Sequence, residues 1–193
     1  MAGFTKEKLV FGVGKNDDLS LTRTKPYTAW TSMLKRCYSK KYHDKCPSYV
    51  GCSVAEEWRL YSQFLKFYHS HYVDGYVLDK DILIPGNKIY SPERCVFIPE
   101  RLNSFVLFRD LLRGSLPIGV SASKQTRKFQ AKISVNGQRK FLGYFDTPSE
   151  ANEAWAREKL AAAEEWKDLC DSIHPGLYSG LISKINSVRV SHG

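Results

Sequence analysis

The sequence has no apolar run approaching the roughly 20 residues that a membrane-spanning helix requires, and its first segment, MAGFTKEKLVFGVGK, holds no signal-peptide core. Its five cysteines form no CxxC pair, and their odd number disfavours a disulfide framework. GVGKND, residues 12–17, lacks the spacing of a phosphate-binding P-loop, so we interpret its glycines as turn residues. These absences predict a cytoplasmic protein with reduced thiols and no membrane partner.

Acidic residues are absent between Leu116 and Phe145, within a chain whose net charge is +9. Such an excess of positive charge attracts polyanions, nucleic acid first and an acidic membrane surface second. Charge of one sign over about thirty residues is uncommon on a mixed protein surface and favours contact with DNA phosphates. The alternative is a solvated sheet whose lysines protect its edge. The charged residues of this stretch are Lys124, Arg127, Lys128, Lys132, Arg139 and Lys140.

Apolar periodicity predicts two helices in the first half of the chain. YTAWTSMLKRCY, which follows Pro26, has apolar residues at the i, i+3, i+4, i+7 spacing of one helical face. EEWRLYSQFLKFYHSHY repeats this pattern with aromatic residues. The apolar face of the first helix consists of Trp30, Met33, Leu34 and Cys37.

A ββα unit is expected after these helices. YVLDKDILI is typical of a strand, and Pro85-Gly86-Asn87 is a turn signal. YSPERCVFIP predicts a tight turn and a short strand, and ERLNSFVLFRDLLRG predicts a helix ended by Gly114. We place a domain boundary there, between residues 1–113 and 114–193.

Three short strands and a helix are predicted for the second module. The strands are IGVSASK, KFQAKISV and RKFLGYF, and Asn136-Gly137 is a hairpin signal between the last two. Asp146 is the expected cap of the helix DTPSEANEAWAREKLAAAEEWKDL, with Pro148 in its first turn. The tail after Ser172 is open to two interpretations, a short packed helix or a contact arm. The fold class is therefore α+β, with a helical and ββα module followed by a three-stranded antiparallel sheet packed on one helix.

Several small and aromatic residues of the second module recur at the spacing of a known domain. They are Gly119-Val120, Phe129-x-Ala131-Lys132-Ile133, the run from Phe141 to Thr147, Glu150-Ala151 and Ala154-Trp155. With them, residues 118–155 resemble the plant ethylene-response-factor (apetala-type) DNA-binding domain. The resemblance implies a sheet that lies in the major groove of double-stranded DNA.

This sequence departs from the plant pattern at Ser121, Lys132 and Phe141, so the plant recognition sequence does not carry over. The DNA contacts expected here are Lys124, Arg127, Lys128, Gln130, Lys132, Arg139 and Lys140.

Three motifs of the first module also form a pattern: WxxMLxRCY over residues 30–38, VAEEW over residues 54–58, and LDKDIL followed by YSPERC. With these motifs, residues 30–105 resemble the catalytic half of phage HNH homing endonucleases. Phage proteins of that kind often carry an apetala-type domain behind the nuclease unit. The resemblance implies a DNA endonuclease that uses a divalent metal, Mg²⁺, in the cytoplasm of a host cell.

The expected catalytic residues only partly match that family. Asp79 matches the metal-ligand position, whereas Lys80 stands where the general-base histidine is expected, and Arg94 stands near the place of an asparagine. A lysine acts as a base only if its pKa is strongly lowered, and the flanking Asp79 and Asp81 act in the opposite direction. Lys80 is therefore interpreted as a phosphate contact or as the partner of an aspartate.

A rebuilt metal site remains open as an alternative. Asp79, Asp81 and Glu93 offer the oxygen ligands that Mg²⁺ prefers, with the first two as the expected metal ligands. A base would then come from the flanking helices. The opposing interpretation is structural salt bridges and surface histidines. The candidate bases are His43, His69 and His71.

A structural zinc site is disfavoured. Cys37, His43, Cys46 and Cys52 lie close in sequence, and Cys95 is a further candidate, but their spacings are not those of a standard zinc finger. Cys37 and Cys95 are more typical of core positions.

Three functions stay open at this point. The chain is a homing-type endonuclease that nicks or cuts DNA with Mg²⁺, a catalytically degenerate relative that binds DNA as a regulator, or a protein-binding inhibitor of a host factor. The first two share double-stranded DNA as partner, and the third has no identified protein partner.

Overall fold

The computed structural model describes residues 8–18, 24–108 and 115–190 of the chain. The helices of these ranges are α1 (Lys25–Tyr38), α2 (Lys40–His43), α3 (Tyr61–His71), α4 (Glu100–Phe105), α5 (Pro148–Glu164), α6 (Lys167–Ile173) and α7 (Leu177–Val190). The strands are β1 (Ser53–Val54), β2 (Tyr76–Asp79), β3 (Ile89–Tyr90), β4 (Val96–Pro99), β5 (Val120–Ala122), β6 (Phe129–Val135) and β7 (Gln138–Phe145). The α+β fold class is confirmed.

The chain divides into two compact units, Met1–Phe97 and Ile98–Gly193. The division falls inside β4, earlier than the boundary expected between residues 113 and 114. Gly114, on which that expectation rests, lies outside the described residues.

The core of the first unit is aromatic. The predicted apolar face of α1 is confirmed, because Trp30, Met33, Leu34 and Cys37 are all buried. The indole of Trp30 also donates a hydrogen bond of 2.7 Å to the backbone oxygen of Trp58. A buried indole N–H needs such a partner, so this bond fixes α1 on the segment that precedes α3.

Three predicted elements of the first half are shorter than their sequence patterns. The second helix starts with a separate 3₁₀ turn, Glu56–Arg59, before α3. The predicted strand YVLDKDILI ends at Asp79, because Asp79 Oδ1 accepts hydrogen bonds from the backbone N–H groups of Asp81 and Ile82 and turns the chain. The helix predicted to run to Gly114 ends at Phe105.

The order strand, loop, strand, helix is present in β2, β4 and α4, and β2 and β4 form a two-stranded sheet. The intervening loop includes β3, which pairs in parallel with β1 through Ser53↔Ile89 and Val54↔Tyr90. The loop is therefore held by backbone pairing as well as by side chains.

In the second unit, β5, β6 and β7 form an antiparallel sheet in sequence order. The predicted hairpin is confirmed: Asn136 and Gly137 have φ of 51° and 77°, the positive values of a type I′ turn. The cap of α5 is Thr147 rather than Asp146. Thr147 Oγ1 accepts from the Glu150 N–H, and the Glu150 carboxylate accepts from the Thr147 N–H, which is a complete capping box.

The helix α5 covers one face of this sheet. Ala131 of β6 packs on Ala151 and Ala154 of α5. Gly119, with φ of 77°, lies directly against the indole of Trp155, where any side chain would overlap the ring. The tail is helical: Leu177, Leu181 and Ile185 of α7 recur every four residues and are buried, and α7 packs on α5.

None of the described helices has the length and apolar character needed to cross a bilayer.

Candidate nucleic-acid interface

The face of the sheet opposite α5 is open to solvent. Along β6, Ala131 and Ile133 are buried whereas Lys132 and Ser134 are exposed, so alternation assigns the second pair to the open face. The strand register extends that face across the sheet. We call it the outer face, and its side chains are Ser121, Gln130, Lys132, Ser134, Arg139, Phe141 and Tyr144.

A β-bulge determines which side chains of β7 lie on the outer face. Lys132 pairs with Phe141 but Ala131 pairs with Gly143, so Leu142 is an extra residue on β7. Simple alternation from Phe141 would point Tyr144 towards α5. The bulge reverses this, and Tyr144 is 47% exposed with its ring centroid 5.1 Å from that of Phe141.

Gly143 takes part in this bulge with φ of 134°, a backbone conformation that residues with a side chain rarely adopt. The glycine therefore permits the local geometry that aims Tyr144 outwards.

Five of the seven predicted DNA contacts lie on the outer face or at its end. Lys132 and Arg139 are exposed there, and Gln130 is half-buried between Ser121 and Tyr144. Lys124 and Arg127 are exposed in the turn between β5 and β6. The β5, β6 and β7 segments contain no carboxylate, so the charged side chains of these strands are all basic.

The other two predicted contacts form ion pairs. Lys128 Nζ lies 2.9 Å from Asp146 Oδ1, and Lys140 Nζ lies 2.7 Å from Glu158 Oε2 of α5. Lys140 also stands opposite the buried Ile133, on the side of β7 that faces α5. Both pairs are exposed and are worth at most about 1 kcal/mol each. Lys140 thus lies on the α5 side of the sheet, away from the outer face.

In the first unit, Lys80 is buried in the loop after β2. Its Nζ donates to Asp81 Oδ2 at 2.8 Å and to the backbone oxygen of Asn87 at 3.0 Å. Asn87 is also buried, and its Nδ2 donates back to the backbone oxygen of Lys80 at 2.6 Å. The loop is therefore closed on itself by reciprocal bonds between two buried polar residues.

Burial by itself would lower the pKa of Lys80, but the hydrogen bond and the negative charge of Asp81 outweigh it. The pKa of Lys80 consequently lies above its ordinary value. An ammonium group held in this way donates hydrogen bonds and does not accept a proton from water at neutral pH. The interpretation of Lys80 as the partner of an aspartate agrees with this geometry.

The remaining candidates of the nuclease hypothesis are spread over several elements. Glu93 is exposed in the turn before β4. His43 is the last residue of α2, and its Nε2 lies 2.8 Å from the backbone oxygen of Arg36 in α1. His69 is exposed on α3, and the ring of His71 stacks on Phe67 with centroids 4.2 Å apart.

Asp79 and Asp81, the expected magnesium ligands, make contacts within their own loop. Mg²⁺ needs near-octahedral oxygen ligands. Here Asp81 faces the ammonium of Lys80, and Asp79 Oδ1 holds two backbone N–H groups. Across residues 8–18, 24–108 and 115–190, no three His, Cys, Asp or Glu side chains come together as a metal-binding group.

Two residues of the loop and sheet were missed by the sequence patterns. The sequence pattern marks Asn87 only as part of a turn, although its side chain donates hydrogen bonds to the backbone oxygens of Lys80 and Ile89. The sequence does not predict that Tyr144 reaches the outer face, because Gly143 is the one local signal of the bulge.

Comparison with protein-family models, with curated proteins and with solved structures finds no match to this chain.

Proposed function

We propose that this protein binds double-stranded DNA by placing the outer face of β5–β6–β7 in the major groove. The observation that supports this most is the charge of that face, which carries Lys132 and Arg139 and no acid. Phosphate neutralisation by such side chains dominates the affinity of proteins for DNA and makes it steeply dependent on salt.

The dimensions of the sheet suit this groove. Three strands spaced about 4.8 Å apart give a ribbon about 10 Å wide, and the major groove is about 12 Å wide. The turn between β5 and β6 extends past the end of the ribbon with Lys124 and Arg127, in reach of the flanking phosphates on this proposal.

The proposal includes DNA binding without cleavage, which makes the protein a regulator or blocker at its site. This part is supported by Lys80, whose ammonium is engaged with Asp81 and Asn87 and whose pKa is raised. A cytoplasmic location, where the DNA of a host cell is accessible, belongs to the same proposal.

The salt dependence of duplex binding tests the proposal. Fluorescence anisotropy between about 50 and 200 mM salt should give a steep linear fall of log K against log salt. Lys132→Gln and Arg139→Gln should each weaken binding and reduce the slope by about 1, since each removes one phosphate contact.

Lys140→Gln is the matched control, because Lys140 is a strand lysine of the same sheet on the α5 side, paired with Glu158. The slope of log K against log salt for this variant should stay at the wild-type value. Absence of duplex binding in dilute buffer, or equal effects of all three substitutions, would overturn the proposed interface.

A further inference from the structure

Two large aromatic side chains are exposed on the outer face. Phe141 is 50% and Tyr144 is 47% exposed, and neither belongs to the hydrophobic clusters that the sheet forms with α5. Burying them is therefore not what stabilises the fold, and exposed apolar side chains that touch each other on a charged surface indicate a contact site.

The two rings pack on each other as one projection. Their centroids are 5.1 Å apart and their planes are inclined at 65°, so the edge of one ring meets the face of the other. Serial stacking of nucleic-acid bases requires ring faces that are free and roughly parallel. The observed pair instead offers a compact apolar knob, which we call the aromatic knob.

Polar and cationic side chains surround the aromatic knob. Lys132 is the cross-strand neighbour of Phe141, and Gln130 is the cross-strand neighbour of Tyr144. Cross-strand neighbours have Cβ atoms about 4.5–5.5 Å apart, so each ring has a polar or cationic side chain directly beside it.

We propose that the aromatic knob contacts the 5-methyl groups of thymine in the major groove and so makes this protein selective for thymine-containing sites. The inference rests on the proposed DNA binding. The thymine methyl is the one apolar group that base pairs of ordinary DNA present in that groove, and phenylalanine is among the side chains that contact it.

The charges around the aromatic knob favour DNA over a protein partner. A surface that buries Phe141 and Tyr144 also has to accept Lys132 and Arg139 without an acid nearby on the sheet. A duplex meets both demands, since methyl groups lie at the floor of the groove and phosphates at its rims.

Replacing thymine by uracil tests the inference, because uracil lacks only the methyl group. A duplex is first selected from a random pool by the wild-type protein and then synthesised with either base. Wild type should bind the uracil duplex about fourfold more weakly for each contacted methyl, which corresponds to about 0.8 kcal/mol.

Phe141→Ala should bind both duplexes with nearly equal affinity while keeping the wild-type salt slope, since no phosphate contact changes. Any difference in affinity for the two duplexes that remains in Phe141→Ala measures the effect of uracil on DNA shape. Tyr144→Phe keeps the apolar surface and should retain the wild-type preference. Val50→Ala removes an exposed apolar side chain far from β7 in sequence, in the first unit, and is the matched control with the full preference.

The outcomes separate the inference from the proposed function. Salt-dependent duplex binding with equal affinity for both bases overturns the inference and leaves the proposed function intact. Tighter binding of single strands than of duplexes, lost in Phe141→Ala, overturns it in favour of base stacking. Absence of binding to any duplex overturns both.

Discussion

Lys80 and Asn87 hold each other through reciprocal hydrogen bonds: the Lys80 ammonium donates to the backbone oxygen of Asn87, and the Asn87 amide donates to the backbone oxygen of Lys80. The Asn87 amide also donates to Ile89 O at 2.7 Å, and its oxygen accepts from Arg94 at 3.2 Å. The loop between β2 and β4 thus depends on one buried side chain for several bonds.

Asn87→Ala should therefore destabilise the first unit by about 2–4 kcal/mol, because buried backbone groups lose their partners. Asn87→Asp preserves the shape but replaces a donor by an acceptor that faces two carbonyl oxygens, and it should destabilise at least as much. Urea denaturation measures both. Asn186→Ala, at an exposed position of α7, is the matched control and should stay within about 0.5 kcal/mol of wild type.

Plasmid nicking distinguishes DNA binding without cleavage from the nuclease hypothesis. We expect wild type with Mg²⁺ or Mn²⁺ to leave supercoiled plasmid intact, since the Lys80 ammonium cannot act as a base. Gel electrophoresis over a wide range of ion concentrations is the measurement. Cutting by wild type that is lost in Asp79→Ala would reject this part of our proposal and support a nuclease; circular dichroism checks that the variant is folded.

Gly119 and Gly137 share a φ of 77° and differ in the space around them. A Cβ at Gly119 would overlap the Trp155 indole, whereas at Gly137 it would meet nothing within 4 Å. Gly137→Ala should cost about 1 kcal/mol from backbone strain, and Gly119→Ala about 3 kcal/mol or more from strain and overpacking together. Equal effects in thermal unfolding would show that Trp155 moves aside at little cost.

Because Lys159 is buried, we expect the free energy of unfolding to increase at alkaline pH. It is 5% exposed, its Nζ donates 2.7 Å to the backbone oxygen of Phe105, and burial lowers its pKa to about 8. Between about pH 8 and the ordinary lysine pKa near 10.4, the unfolded chain binds a proton that the folded chain does not, so the free energy of unfolding increases with pH.

Across this pH range, the free energy of unfolding of wild type should rise by up to about 3 kcal/mol relative to that of Lys159→Met. Urea denaturation of both proteins at about pH 7 and about pH 10 gives the difference. A difference that stays constant with pH would mean that the cation–π contact with Phe105, whose centroid is 3.3 Å from Nζ, keeps the lysine charged.

The parts of the fold that follow from local chemistry were predictable from the sequence. The apolar spacing in α1 determined its buried face, and Asn136-Gly137 determined the hairpin between β6 and β7. The absence of acids in this hairpin determined the charge of whichever face it exposes.

Tertiary structure determined which side chains make up the candidate site. Tyr144 reaches the outer face because Leu142 is an extra residue in the pairing of β7 with β6, and a pairing register is a property of two strands. Lys80 is a buried charged group because the backbone oxygen of Asn87, seven residues along the chain, accepts from its ammonium in addition to the neighbouring Asp81. Helical periodicity and turn chemistry act between near neighbours and can be read along the chain, whereas register and the surroundings of a buried charge depend on residues that only folding brings together.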